Sequence, residues 1–222
     1  TPLYSSAASD VYKRQVLGAI PSDAELVISD DGSGDDTESV ARGLAADDAR
    51  IHFITGVNTG PAGARNRGWR AARAPIILFI DDDCTAAPGW GEAFLAAFAA
   101  SPELAAVEGV TEPEHEIPGY FFHSMQSGRG SYLTCNLAVR ALALRAVGGL
   151  DERFPYPHGE DLDLCYRIAE EVGEIGFEPR ARVLHMVVPI SPSWYLRRAK
   201  LDASTYRLFA LHPLRFLAPA KR

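Results

Sequence analysis

The sequence predicts an α/β fold built around a mostly parallel sheet. Three β-prone runs, at 26–28, 51–54 and 76–80, are each followed by a loop rich in glycine or acidic residues and then by a helical pattern. The third run is apolar throughout, which is typical of a strand buried on both faces of a sheet. Strands that alternate with helices favour parallel pairing through right-handed crossovers.

The first two units follow the same order of strand, loop and helix. The run 26–28 leads to the acidic turn 30–33, where Ser33 and Asp36 form a capping-box pattern that predicts a helix as far as Leu44. The run 51–54 leads to the glycine-rich stretch 58–63, and an Ala/Arg-rich helix is expected from about Ala64 to Arg73.

The third unit carries the triple acid Asp81, Asp82 and Asp83 directly after the apolar strand. Pro88 is suited to the first position of the helix that follows. Beyond about Leu104 the pattern is less regular. There we predict a short strand at 132–135, a helix at 160–171, a strand at 182–185 and an amphipathic helix at 194–211.

Bulk composition limits the function classes. The 222 residues are 47% apolar and 23% charged, with a net charge of −7, which fits a globular domain and opposes broad binding to nucleic acid. The three cysteines include no CxxC pair, so a reducing, cytoplasmic location is expected, and Cys84 and Cys165 are interpreted as inert packing residues. No apolar run approaches the length of a membrane-spanning helix.

The triple acid needs a compensating charge, because three adjacent carboxylates repel one another and resist desolvation. Asp81 and Asp83 form an Asp-x-Asp pair at a strand end, where ligands of α/β sheets bind. Carboxylate oxygens suit Mg²⁺ or Mn²⁺, which in turn bind diphosphates. A solvated loop before the next helix is the alternative.

A second acidic cluster occurs at 159–164, GEDLDL. If Asp161 begins a helix that faces the same cleft, its carboxylate can accept a proton from a hydroxyl nucleophile. An acidic helix N-terminus that favours the helix dipole explains the pattern equally well.

Six motifs in order resemble those of the family 2 glycosyltransferases, over about 25–185. They are DDGS (30–33), NTGPAGARN (58–66), FIDDD (79–83), TCN (134–136), GGLDERF (148–154) and GEDLDLCYRI (159–168). The resemblance implies a Rossmann-like nucleotide-diphospho-sugar transferase fold. It also implies inverting transfer from a nucleotide-diphosphate sugar donor to a saccharide or lipid-linked acceptor.

Site residues follow from the resemblance, motif by motif. Asp31 would bind the nucleobase, Arg65 would orient the nucleotide and Asp81 would contact the ribose or sugar. Asp83 would hold Mg²⁺ or Mn²⁺. The catalytic base would be Asp161.

One further ligand is suggested by the motif VLHMVV. Its histidine, His185, matches a residue that many relatives carry after the base helix, sometimes as an additional metal ligand. A histidine bonded only to the backbone is the alternative.

Two other functions fit parts of the sequence. DDDCT also fits the Asp-x-Asp-x-Thr signature of haloacid-dehalogenase-like phosphatases, but that signature belongs near the first strand, and no lysine separates the two acidic motifs here. The second is a sugar-nucleotide-binding remnant without turnover, and the presence of both Asp83 and Asp161 opposes it.

The resemblance also divides the chain. Residues 16–190 would form the transferase domain, with a donor half to about 104 and an acceptor half after it. Residues 1–15 lack the apolar first strand that the family normally has, so we expect a non-native or disordered leader on a truncated fragment. The basic, amphipathic segment 191–222 is expected to be helical, with peripheral contact to the anionic inner face of a membrane as one possible role.

Overall fold

The computed structural model describes residues 16–154, 158–198 and 202–217, which form an α/β fold. The first half contains β1 (Leu26–Asp30), α1 (Thr37–Asp47), β2 (Ile51–Thr55), α2 (Gly60–Ala71), β3 (Ile76–Phe79), β4 (Cys84–Ala86) and α3 (Trp90–Ala100). The second half contains β5 (Ala106–Pro113), β6 (Phe122–His123), β7 (Leu137–Arg140), α4 (Ala141–Val147), α5 (Glu160–Glu171), β8 (Ile175–His185), β9 (Val188–Pro189), α6 (Pro192–Arg198), α7 (Asp202–Leu211) and α8 (Pro213–Leu217).

The predicted α/β class is confirmed, but the larger sheet is mixed rather than mostly parallel. Its strand order is β3-β7-β5-β8-β4, and only β5 and β8 pair in parallel. Strand β7 runs antiparallel to both β3 and β5, because the chain reaches it through the irregular stretch 114–133 without the crossover helix that a parallel neighbour requires. The first two strands, β1 and β2, form a separate parallel pair.

Among the described residues, the two sheets are not hydrogen-bonded to each other. Strand β1 pairs with β2 and strand β3 pairs with β7, and no strand of the described residues lies between β1 and β3. Both strands line one cavity, whose volume is about 970 Å³. We expected a strand to be missing at this place; residues 1–15, to which that expectation refers, lie outside the described part of the chain.

The larger sheet is buried on both faces. Leu137 and Val139 of β7 point to a cluster that includes Trp69 of α2, whereas Ala138 points to the opposite cluster, which includes Phe94 of α3. All three β7 side chains are fully buried. This burial anchors β3 and β8, whose carboxyl ends carry the acidic and histidine side chains of the candidate site.

Asn136 explains the TCN motif. Its side-chain amide donates to the carbonyl oxygens of Val110 (2.9 Å) and Ala181 (3.0 Å), and its Oδ1 accepts a bond from Trp90 Nε1 at 2.8 Å. These bonds satisfy the backbone beside the irregularity in the β5–β8 pairing. Asn136 thereby fixes the path of β8 toward its end at His185.

Several local predictions differ from the structure. The stretch predicted as a strand at 132–135 ends in a 3₁₀ turn, Thr134–Asn136, before β7. Helix α3 begins at Trp90 rather than Pro88, because Gly89 takes a left-handed conformation with φ of 77°. Helix α1 has no capping box, since the Ser33 N–H donates to the carboxylate of Asp30 instead.

The C-terminal segment contains more than one helix. We predicted a continuous helix at 194–211, whereas the structure has α6, then three residues outside the described part, and then α7 and α8. Leu208 of α7 is buried, and Arg207 donates from Nη2 to Asp151 Oδ2 at 2.5 Å. In the part of the chain that the structure describes, no helix has the length and apolarity needed to cross a membrane.

Candidate active site

The carboxyl end of β1 presents Asp30 and Asp31. Asp30 is buried and accepts bonds from Gly32 N (3.1 Å), Ser33 N (3.2 Å) and Thr55 Oγ1 (2.9 Å). These bonds fix the DDGS turn. Asp30 is therefore a structural residue that orients its neighbour.

Asp31 reaches from the end of β1 to the turn before α2. Its Oδ1 accepts bonds from Thr59 N at 3.0 Å and Arg67 Nη2 at 2.6 Å, and its Oδ2 accepts a bond from Gly60 N at 2.7 Å. Although burial acts in the opposite direction, these donors hold the pKa of Asp31 below its usual value. The carboxylate is thus ionised and held at the cavity wall.

The triple acid is compensated at two of its three positions. Asp81 Oδ1 accepts a bond from Arg65 Nη2 at 2.7 Å, Asp83 Oδ2 lies 3.4 Å from His185 Nε2, and Asp82 is exposed to solvent. The predicted positive partner for the strand end is therefore Arg65.

Arg65 joins the strand end to helix α5. Besides its bond to Asp81, its Nη1 lies 3.3 Å from Glu160 Oε1 at the first position of α5. Burial alone would lower the pKa of Arg65, but Asp81, Glu160 and Asp161 together raise it above its usual value. Arg65 is therefore a permanent cation shared by both acidic motifs.

Helix α5 starts after Gly159, whose φ of 89° is a left-handed conformation. This turn places Glu160 and Asp161 in the first helical turn, and Asp161 Oδ1 accepts a bond from the Leu162 N–H at 2.8 Å. Burial raises the pKa of Glu160 to about 7, and the charge of Asp161 adds to the shift. Burial also raises the pKa of Asp161, which makes its carboxylate a better proton acceptor.

Asp83 and His185 face each other across β4 and β8. His185 Nδ1 lies 3.0 Å from the Met186 carbonyl oxygen, which can only accept, so Nδ1 carries a proton and Nε2 is turned toward Asp83. At a separation of 3.4 Å, Nε2 and the carboxylate oxygen are bridged either by a proton on the ring or by a cation that both bind. Burial, together with Asp81 and Asp82, raises the pKa of Asp83, and His185 opposes the rise.

Several of these charged side chains line the cavity between β1 and β3. Asp31, Arg65 and the triple acid lie in its wall, beside apolar side chains of β1 and β3. Its volume of about 970 Å³ is in the range of sites that hold nucleotide-sized ligands. Arg65 connects this cavity to the first turn of α5.

The structure places all six predicted site residues among the described ones. Asp81 pairs with Arg65 and Asp83 lies beside His185, while Asp31 lies in the same cavity at the β1 end. Arg65 also contacts Glu160, the residue before Asp161. Sequence reasoning missed Glu160, although the GEDLD motif contains it, and Arg67, which holds Asp31. Arg67 could have been identified from its position in the sequence, two residues after Arg65 on the helix that follows the glycine-rich turn.

Two solved glycosyltransferases have the same architecture. GalNAc-T7, solved with UDP, GalNAc and Mn²⁺, superimposes with a TM-score of 0.68 at 16% identity over 97% of this chain and 49% of that chain. The mannosyltransferase PcManGT from Pyrobaculum calidifontis, solved with GDP-Man and Mn²⁺, gives a TM-score of 0.66 at 18% identity over 89% of this chain and 59% of that chain. The fold is therefore that of nucleotide-sugar transferases.

The sequence assigns the chain more narrowly. It belongs to glycosyl transferase family 2, whose model matches residues 12–142. A similar curated protein is the pre-mycofactocin glycosyltransferase of Mycobacterium tuberculosis, which is 31% identical over 206 residues, 85% of this chain and 43% of that protein. The chain thus spans less than half the length of that relative.

Proposed function

We propose that this chain is the catalytic domain of an inverting glycosyltransferase, which moves a sugar from a nucleotide-diphosphate donor to a hydroxyl acceptor. The observation that carries the proposal is the double contact of Arg65 with Asp81 and Glu160. It links the carboxylates beside the nucleotide-sized cavity to the helix that bears the candidate base.

The donor would occupy the cavity between β1 and β3. Asp31 is held at the β1 end, and its Oδ2 accepts one bond from the described residues, so a lone pair remains for a nucleobase N–H. Asp81 lies at the opposite wall, where its second oxygen can accept from a ribose or sugar hydroxyl. Arg65 keeps that carboxylate oriented.

A divalent cation fits the pair Asp83 and His185. The facing lone pairs of Asp83 Oδ2 and His185 Nε2 form a donor set for it, and the imidazole nitrogen favours Mn²⁺ over Mg²⁺. When bound, such a cation neutralises charge on the leaving diphosphate. The chain's own contribution is to hold both donors at strand ends, with His185 fixed by its backbone bond.

Proton acceptance would fall to Asp161. Its pKa is raised by burial, and its Oδ1 is fixed by the Leu162 N–H, which leaves Oδ2 available for an acceptor hydroxyl. Burial raises the pKa of Glu160 to about 7, so Glu160 is partly protonated near that pH, which limits the negative charge beside Asp161. Direct displacement with this base inverts the anomeric configuration.

The acceptor would be a saccharide or a lipid-linked saccharide. Helices α7 and α8 expose Phe209, Leu211 and Leu214, an apolar edge that supports peripheral contact with an anionic membrane. Leu208 is buried and does not belong to this edge, and Arg207 and Arg215 pair with Asp151 and Glu170 of the domain. Among the described residues, the edge therefore supports membrane contact more than these two paired arginines do.

A thermal-shift panel of nucleotide diphosphates and their sugars, with and without Mn²⁺, tests the proposal. A ligand at 100 times its dissociation constant stabilises the folded chain by about 2.7 kcal/mol. We expect one nucleoside class to give this shift with Mn²⁺ and to lose it with a chelator. If no nucleotide shifts the midpoint under either condition, the proposal is wrong.

A further inference from the structure

We propose that Cys84 completes a three-donor metal site with Asp83 and His185, and that this site binds thiophilic divalent cations such as Zn²⁺ and Co²⁺ more tightly than Mg²⁺. This inference depends on the proposed function in one respect, which is that a metal lies between Asp83 and His185. It replaces the interpretation of Cys84 as an inert packing residue.

The strand register puts the sulfur beside the imidazole. Cys84 is the first residue of β4 and lies directly opposite His185 in the antiparallel β4–β8 pair. Directly opposed residues project their side chains from the same face of a sheet. Asp83 precedes Cys84 in the chain, so the three donors converge on one end of β4.

The distances suit a single ion. Cys84 Sγ lies 3.8 Å from Asp83 Oδ1, His185 Nε2 lies 3.4 Å from Asp83 Oδ2, and the three ligand atoms lie within 4.8 Å of one another. With ordinary zinc–ligand bond lengths, two ligands of one tetrahedral ion are about 3.4–3.6 Å apart. The two shorter distances run to different oxygens of Asp83, so closing the site around one ion requires rotation of that carboxylate and a closer approach of the sulfur and the imidazole.

The site is reached from the cavity. Cys84 is 1% exposed and His185 is 7% exposed, yet Asp83 and Cys84 both lie in the cavity wall. A sulfur in this position shifts selectivity, because thiolates bind soft and borderline cations and Mg²⁺ prefers an all-oxygen shell. The thiol releases its proton when the metal binds.

Three protein donors leave one position of a tetrahedral ion open. Catalytic zinc sites have this arrangement, whereas structural sites use four protein ligands. The open position would take a phosphate oxygen or water. The same three donors would let a thiophilic cation compete with Mg²⁺ or Mn²⁺ for this place.

The chain supplies a matched control. Cys165 belongs to α5 and is fully buried in a core cluster that does not contain Cys84, whereas Cys135 contacts both the Cys84 thiol and the Thr111 hydroxyl. Among the described residues, neither belongs to a cluster of three donors. Cys165→Ser is therefore the matched control, because it removes a buried thiol away from the proposed ligands, and Cys135→Ser is not, because it removes a partner of Cys84.

Cobalt spectroscopy of the metal-free chain, without nucleotide, tests the proposal. We expect Co²⁺ to give a thiolate-to-cobalt charge-transfer band in the wild type and in Cys165→Ser, and no such band in Cys84→Ser. Loss of an outer-shell partner lowers metal affinity by at least about tenfold. Loss of Cys84, a direct ligand, should lower it by no less. Zn²⁺ should remove the band, whereas Mg²⁺ at the same concentration should not.

Two outcomes overturn the proposal, and they differ in what they mean for the proposed function. Co²⁺ binding without the band, or a band that persists in Cys84→Ser, excludes the sulfur and leaves a metal at Asp83 and His185. No Co²⁺ binding at all excludes both metal assignments, while the nucleotide panel still reports on donor binding. If Cys84→Ser does not fold, zinc X-ray absorption of the wild type decides: one sulfur neighbour supports the proposal, and none overturns it.

Discussion

Arg65 and Glu160 lie 95 residues apart in the sequence and meet at 3.3 Å between Nη1 and Oε1. Since Arg65 also bonds Asp81, one guanidinium fixes the distance between the end of β3 and the start of α5. A guanidinium can do this because its planar fork has several donors, whereas an ammonium acts as a single point charge.

Arg65→Ala should therefore affect both binding and stability. We expect a loss of about 1–3 kcal/mol in the free energy of unfolding, less than for a fully buried pair, because Asp81 is 32% exposed and solvent screens it. Donor affinity should fall with it. Arg42→Ala, which removes an exposed i,i+4 pair with Glu38, is the matched control and should cost under about 0.5 kcal/mol. Equal losses in the two variants would contradict the bridging role.

The pH dependence of stability should report Glu160. Its pKa is about 7 in the folded chain, against 4.5 as the ordinary value, so between these pH values the folded state holds a proton that the unfolded state has lost. Raising the pH through this window therefore lowers the free energy of unfolding, and the decrease levels off once the pH has passed through the folded-state pKa of about 7.

Glu160→Gln keeps the shape and removes the ionisation. Relative to the wild type, we expect it to be more stable by about 1–3 kcal/mol at pH 8 and nearly equal at pH 4.5. Denaturant unfolding at both pH values measures this. As a control, Glu38→Gln at an exposed position should show no such pH-dependent gain in stability. The raised pKa of Glu160 would be contradicted if the stability of Glu160→Gln relative to the wild type were lower at pH 8 than at pH 4.5.

Asp83→Ala should abolish metal-dependent donor binding, because a methyl group cannot replace an anionic ligand. The exposed neighbour Asp82 provides the control, since Asp82→Ala removes the same charge one residue away and should leave the metal dependence intact. Titration of the donor with and without Mn²⁺ measures both variants. Similar losses in the two would point to general electrostatics rather than coordination.

Asp161→Asn should separate binding from turnover. The donor should still bind, while transfer falls by about two to four orders of magnitude, the usual consequence of losing a general base. Single-turnover kinetics at saturating donor measures the step. Near-normal transfer would show that another group accepts the proton.

The order of motifs in the sequence identified the acidic residues of the site, because Asp31, Asp81, Asp83 and Asp161 each follow a recognisable strand or turn. Contacts between distant elements were not accessible in that way. Glu160 gains its raised pKa from burial beside Asp161 and its contact with Arg65, and neither is visible in a local pattern.

The direction and register of the strands also could not be predicted from the sequence. Apolar runs predicted β1, β2 and β3 close to their observed bounds, but nothing in the residues of β7 states that it runs antiparallel to β3. The opposition of Cys84 and His185 depends on the register of β4 against β8, which is set by the irregular pairing of β5 with β8. Hydrophobic period alone does not report such a register.

The separation of β1 and β2 from the larger sheet has a consequence for how the domain opens. This two-stranded unit packs against α2 and the stretch that follows α2. Its polar contacts there include the bond from Ser29 Oγ to the Ala64 carbonyl oxygen (2.7 Å) and the ion pair of Glu25 with Arg73 (3.0 Å). Such a unit is expected to unfold locally at a lower free energy than the doubly buried strands. In native-state hydrogen exchange, the amides of β1 and β2 should therefore exchange before those of β5, β7 and β8, and a bound nucleotide that spans the cavity between β1 and β3 should slow them selectively.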